Sequence, residues 1–242
     1  MELTKEQDRM LNGEQGEGTA KAMEILVAVG KIYRAEKLIP VSSVQVAGVS
    51  YKTIGDAGIE FLEGFVNTDA KCRVPAYLNP AGMDLVEWKE MGVPEAFARK
   101  QLEIVKLYES IGVKPTCTCT PYQIGIVPKL GEHIAWSESS AVSYTNSVLG
   151  ARTNRESGMS ALAAAICGVT PNFGLHLDEN RRAKVVFDLN CSLKGRYDYA
   201  LLGATAGKLA GKRVVAFEPK TKSLKPSKEM LKLLGAAMAA TG

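Results

Sequence analysis

The stretch KVVFDLNCSLKGRYDYALLGATAGKLAGKRVVAF, residues 184–217, decides the fold class. Lys184 to Leu189 and Arg213 to Phe217 are short runs of β-branched and aromatic residues, as strands require. Tyr199 to Leu209 between them carries small and apolar residues at helical spacing. A strand, a helix-length crossover and a second strand form a βαβ unit with parallel strands. Helices and strands alternate along the rest of the chain as well. The expectation is therefore an α/β fold.

Outward toward the C-terminus, Pro219 to Pro226 reads as a linker and Ser227 to Ala240 as a last helix. The five lysines between Lys220 and Lys232 form the densest basic run. They read as a solvated linker and helix face rather than as a phosphate-binding patch. Toward the N-terminus, Met159 to Ile166 is an Ala-rich helix after the polar loop ARTNRES. Ser137 to Leu149 is a helix of small and hydroxylated residues, with Ser137 as N-cap and Gly150 as stop. Pro94 opens an amphipathic helix that buries Phe97, Ile104, Tyr108 and Ile111 and ends at Gly112. Ala76 to Asp84 is a strand end followed by a Pro-Gly turn. Val41 to Val49 alternates like a strand, and a helix begins near Asp56. Thr19 to Ala35 is a helix with Ala22, Ile25, Leu26 and Val29 on one face. Thr4 and Gln7 form a capping box for a short first helix ending near Asn12-Gly13.

At 242 residues and 46% hydrophobic, the chain holds one large domain or two small ones. An internal division near 112–130 is expected. The net charge of +4 is spread along the chain, which argues against a nucleic-acid partner. No run of 18 apolar residues occurs and the N-terminus has no targeting pattern, so a cytoplasmic protein with no membrane partner is expected. Reduced cysteines follow from that compartment.

Five cysteines are present, two of them in PTCTCTPYQIG, residues 115–125. Cys117 and Cys119 are too close in sequence to bridge each other without strain, and a C-x-C with no second pair is a poor zinc site. There are two histidines, His133 and His176, and no G-x-S-x-G elbow for a hydrolytic serine. No Walker A or G-x-G-x-x-G loop follows a strand. What remains is a set of dense polar strings. AGVSY offers backbone N–H groups at a glycine turn. LNPAGMD places Asn79 and Asp84 around a turn. CTPY presents a thiol before a proline. WSESSA sets Glu138 and hydroxyls in the first turn of a helix, where N–H groups hold anions. GARTNRE supplies Arg152 and Arg155. Each alone reads as a turn or a cap; together they describe a pocket for a small polyoxygenated anion.

TCTPY (118–122), GEHIAWSESSAV (131–142), NSVLGARTNRE (146–156) and GLHLDENRR (174–182), with GVSYKTIGDAG (48–58) and LNPAGMD (78–84), resemble the large subunit of the aconitase X family. The resemblance runs through nearly the whole chain in order. It implies an aconitase-like layered α/β fold in three layers, with helices packed on small mixed or parallel sheets, and an iron–sulfur dehydratase, cytoplasmic and paired with a small swivelling subunit. The substrates it implies are 5-phosphomevalonate, in a mevalonate pathway to isoprenoids, or cis-3-hydroxy-L-proline. Carried over by motif, the 4Fe-4S cluster ligand falls on Cys119. Substrate contacts fall on Gly48, Val49 and Ser50, on Asn79 and Pro80, and on Glu138 and Ser139. The catalytic base and the role of Cys117 are not assigned.

Family large subunits run past this length, and their other two cluster cysteines lie in the further C-terminal part. Cys72, Cys167 and Cys191 do not match those motifs, so the remaining ligands are expected outside this chain. The chain is expected to be a fragment, a split gene product or a truncated member, inactive alone. Its rival reading is a non-catalytic scaffold that keeps the pocket without the metal. Arg152, Arg155, Arg181 and Arg182 against the single buried-looking acid Glu138 favour the dianionic phosphate substrate. The helix from Ser137 is expected to pack on the Cys119 segment, with Glu138 and Ser139 facing the same cavity as Ser50 and Asn79.

Overall fold

The structure is a computed structural model that describes residues 1–221 and 225–241. In chain order its elements are α1 (Lys5–Leu11), α2 (Glu17–Ile32), β1 (Leu38–Pro40), β2 (Val44–Val46), α3 (Tyr51–Asn67), β3 (Ala76–Leu78), α4 (Glu95–Ile111), β4 (Val113–Lys114), β5 (Ala135–Trp136), α5 (Ser139–Tyr144), α6 (Gly158–Cys167), β6 (Val169–Pro171), β7 (Val185–Leu189), α7 (Arg196–Ala210), β8 (Val215–Pro219) and α8 (Lys228–Thr241). The class is α/β, with helices on small sheets. Part of the expected linker, residues 222–224, lies outside the described residues, as do Lys222 and its share of the basic run.

The central sheet is parallel, in the order β4-β3-β2-β5. Its strands are two or three residues long; β2 and β5 are buried throughout, while Tyr77 of β3 is half-buried and Lys114 of β4 is exposed. One core joins them to the helices: Met23 and Leu26 of α2, Leu62 and Phe65 of α3, Ile104 and Ile111 of α4, and Leu162 and Ile166 of α6 pack with Val44, Val46, Ala76 and Leu78. The expected strand Val41–Val49 shortens to Val44–Val46. Its flanks turn away instead, with Ser42 bonded to His133 O and Val49 O accepting from Gln101. α3 begins earlier than expected, at Tyr51, and a kink at Gly55 separates that first turn from the helix proper at Asp56.

The βαβ unit read from residues 184–217 is present. β7 and β8 pair in parallel through α7, and α8 packs along α7. That packing is close because Gly203 and Gly207 lie one turn apart on α7, opposite Leu234 O and Met238 O of α8. Any side chain at either glycine would meet backbone. α8 also reaches α5, where Gly235 faces Ser143.

Candidate functional site at the carboxyl edge of the parallel sheet

Each strand of the central sheet is followed by one of the polar strings. Gly48-Val49-Ser50 follow β2, Asn79-Pro80 follow β3, the Cys117–Cys119 segment follows β4, and Glu138-Ser139 follow β5. Because all four strands are parallel, all four loops leave from one edge. The chain order turns back between β2 and β5, with β3 and β4 on one side of β2 and β5 on the other. That is the topological switch point at which open parallel sheets bind ligands.

Direct hydrogen bonds join the loops in pairs. Gln45 on β2, fully buried, donates through Nε2 to Thr118 O (3.2 Å) and accepts through Oε1 from the Glu138 N–H (3.3 Å). Gln101 on α4, equally buried, donates through Nε2 to Val49 O (3.1 Å). Its Oε1 accepts from the Tyr51 N–H (3.1 Å) and the Gly82 N–H (2.9 Å). The Asn79 N–H donates to Val46 O, and a Cβ on Gly82 would collide with Ser50 Oγ, so the second and first loops are in contact. The aromatic ring of Tyr122, three residues after Cys119, stacks on Tyr144 of α5 with centroids 4.1 Å apart. The structure thus brings Ser50, Asn79, Cys119 and Glu138 to one edge and packs α5 on the cysteine segment.

Several local details differ from the sequence expectation. Glu138, not Ser137, caps α5: its Oε2 accepts from the Ala141 N–H and the Ser140 hydroxyl (both 2.7 Å), and its Oε1 from the Ser139 hydroxyl (3.1 Å). The Ala141 N–H of the first turn therefore meets the chain's own carboxylate. The helix also ends early as α-helix, and Thr145–Leu149 form a π turn before Gly150. Glu138 is only half-buried; the buried acid is Glu156, which accepts from Ser160 Oγ (2.6 Å) and Thr170 Oγ1 (3.2 Å). Burial pushes its carboxyl above the usual range, against those two hydrogen bonds. Arg152 is engaged by Asp178 (2.5 Å) and His176 O. Arg181 donates to Asn146 Oδ1 and O, Leu175 O and Ala151 O. Those two guanidinium groups are structural ties, while Arg155 and Arg182 are exposed.

The thiols sort themselves by environment. Burial pushes Cys72 and Cys167 up to about 12, so both stay protonated. Cys167 ends α6 inside the core. Cys117, with a left-handed φ of 44°, is half-buried and packs on the core. Cys119 and Cys191 are exposed, and of these Cys119 lies in a sheet-edge loop. Three of the four buried side-chain polar atoms with no partner among the described residues, Asn79 Oδ1, Tyr122 Oη and Ser137 Oγ, also lie in these loops. Buried polar atoms are normally paired, so this edge has capacity to bind a polar ligand. Burial, more than the nearby Tyr144, Glu138 and Cys119, keeps the Tyr122 phenol protonated.

A cluster needs more than this chain shows. Iron–sulfur clusters are held by several thiolates. Among the described residues no group of three or more His, Cys, Asp or Glu side chains is placed to hold a metal. The chain offers one suitable exposed donor at the edge, and the described residues do not complete a ligand set. Sequence reasoning missed both glutamines, Glu156 and the contact between the two histidines. Gln45 was the visible one, a lone amide in the otherwise apolar stretch VQVAGV.

The aconitase X first domain matches residues 1–179 and the aconitase X second domain residues 183–242. The phosphomevalonate dehydratase large subunit of Methanothermobacter thermautotrophicus is 58% identical over 99% of this chain and 59% of its own length. That of Methanosarcina mazei is 54% identical over 100% of this chain and 59% of its own length. The cis-3-hydroxy-L-proline dehydratase of Hypocrea jecorina is 35% identical over 99% of this chain and 40% of its own length. The crystal structure of Thermococcus kodakaraensis aconitase X in its holo form superposes with a TM-score of 0.90 at 55% identity, over 100% of this chain and 60% of that one. The chain spans about three-fifths of the length of these archaeal relatives.

Proposed function

Because the chain belongs to the aconitase X family, we propose that it carries the sheet-edge loops of a dehydratase large subunit acting on (R)-5-phosphomevalonate. The product is trans-anhydromevalonate 5-phosphate. The site reading rests on one observation: the four strings singled out in the sequence follow the four parallel strands and meet at the switch point, tied by buried amides. The choice of substrate rests on the relatives' names, phosphomevalonate dehydratase at 54–58% identity against hydroxyproline dehydratase at 35%. The excess of arginines no longer argues for a phosphate, since Arg152 and Arg181 are engaged by the fold.

The reaction breaks one C–O and one neighbouring C–H bond, forms a double bond and releases water. In this reading Gly48, Val49, Ser50, Asn79, Pro80, Glu138 and Ser139 bind and orient the substrate. The Asn79 amide oxygen, buried and without a partner among the described residues, receives a donor from it. The Glu138 carboxylate is fixed in direction by two hydroxyls and a backbone N–H. Cys119 supplies one ligand to an iron–sulfur cluster whose other ligands lie outside this chain. When bound, the cluster supplies a Lewis-acidic iron for the departing hydroxyl. A small subunit closes over the site, and the complex works in the cytoplasm.

The test uses the complete large subunit with its small subunit, reconstituted with iron and sulfide without oxygen and offered both substrates. We expect loss of 5-phosphomevalonate, loss of iron in Cys119→Ser, and iron retained in Cys117→Ser. Turnover of cis-3-hydroxy-L-proline alone would reverse the substrate. A complete complex that takes up no iron and turns over neither substrate would leave the non-catalytic reading in its place.

A further inference from the structure

The two buried glutamines stand out once the site is built. A primary amide is both donor and acceptor, so one side chain can bond a carbonyl and an N–H of separate backbone segments together, which an ionised carboxylate (acceptor only) or an apolar residue does not. Gln45 and Gln101 are each 0% exposed, and each makes contacts in both senses. Gln45 joins the peptide before Cys119 to the backbone of Glu138. Gln101 joins the loop after β2, at Val49 O and Tyr51 N–H, to the loop after β3, at Gly82 N–H. The four loops are thereby fixed in two pairs, and the pairs differ in their proposed roles. One holds the cluster thiol against Glu138; the other holds Gly48 to Ser50 against Asn79 and Pro80.

We propose that Gln45 and Gln101 are positioning residues of the site, Gln45 setting the Cys119 thiol relative to Glu138 and Gln101 setting the two remaining substrate loops. Neither has a packing requirement for an amide. Gln45 sits between Val44 and Val46 in a strand buried on both faces, and Gln101 lies among the buried residues of α4. Packing alone does not call for an amide at either place; what the amides add is the pairing of backbone groups from separate loops. The two act on different loops, so their effects are separable. The assignment of a reaction to these loops rests on the function proposed above, whereas the coupling of the loops does not.

The experiment compares Gln45→Met with Gln101→Met, which keep side-chain volume and remove the amide. In the chain without metal, the rate of Cys119 alkylation is followed by peptide mass spectrometry, together with amide exchange at Glu138, Tyr51 and Gly82. Gln45→Met is expected to raise Cys119 alkylation and Glu138 exchange at least fivefold and to leave Tyr51 and Gly82 within twofold. Gln101→Met is expected to give the reverse pattern. In the complete reconstituted enzyme, Gln45→Met is expected to lower kcat and bound iron with little change in KM, and Gln101→Met to raise KM. Equal changes at all sites in both variants would mean that the amides only stabilise the fold, and no change at Cys119 in Gln45→Met would remove its role; either result overturns the proposal. If the enzyme dehydrates neither substrate, the function proposed above fails while the alkylation and exchange pattern still decides this one.

Discussion

His133 and His176, 43 positions apart, meet Nδ1 to Nδ1 at 2.9 Å, a contact no sequence spacing announces. His176 is 2% exposed, and its Nε2 has no partner among the described residues. Burial is the largest cause holding both imidazoles neutral, taking His176 down to about 3, and the neighbouring Arg152 and Arg181 add to it while Asp178 opposes it at His133. In the unfolded chain both side chains take up protons near the usual histidine value of about 6.5. The stability that neutral His176 contributes is therefore complete above about pH 6.5 and is lost as pH falls from there toward about 3, at about 1.4 kcal/mol per pH unit. Urea unfolding at pH 7.5 and pH 5.0 checks this. His176→Gln should lose about 2 kcal/mol less than the parent chain over that interval, and equal losses would remove the pair from the account. Residue identity also explains what was legible at the site itself. Gly48, Ser50, Asn79, Cys119 and Glu138 sit in polar strings that no core tolerates, and so they showed. Gln45 and Gln101 are polar groups inside an apolar strand and a helical pattern, and their partners are set by tertiary contact.

The helices were easier to read than the strands. α4 and its stop at Gly112, the capping box of α1 and the α7 crossover carry periodic faces and cap chemistry that act locally. Val41–Val49 was read too long because its alternation continues past the segment that pairs, and only Val44–Val46 are bonded into the sheet. Ser137 lost the capping role because the extended backbone of Glu138 (φ −71°, ψ 130°) lets its longer side chain reach the Ala141 N–H. One element meets the site end-on. α6 starts where a Cβ on Gly158 would lie 2.5 Å from Ala47 O, directly before Gly48. Gly158→Ala forces that backbone to move, at a cost of about 1–3 kcal/mol of the kind seen on overpacking. Thermal unfolding of the variant should show this loss, and the complete enzyme should show a raised KM. A variant as stable as the parent would mean that the approach of α6 to the β2 loop is looser than described.

At the scale of the molecule, the sequence motifs pointed to the family and the parallel sheet explains how they act together. Strings spread over residues 48–139 become neighbours because β2, β3, β4 and β5 all run the same way and end at one edge. Their order within the sheet, with β5 beside β2, was not legible, since pairing partners are chosen by packing and not by sequence separation. The β7–α7–β8–α8 unit has its own small core of Leu189, Leu193 and Tyr199 and is joined to the rest through α8 on α5. The central claim is that the carboxyl edge of the four-stranded sheet is where the substrate is held. The most direct measurement is amide hydrogen exchange of the complete enzyme with and without 5-phosphomevalonate. The account predicts that the substrate slows exchange at Gly48 to Tyr51, Asn79, Thr118 to Thr120 and Glu138 to Ser140 together. Protection confined to the β7–β8 unit, with those four loops unchanged, would contradict it.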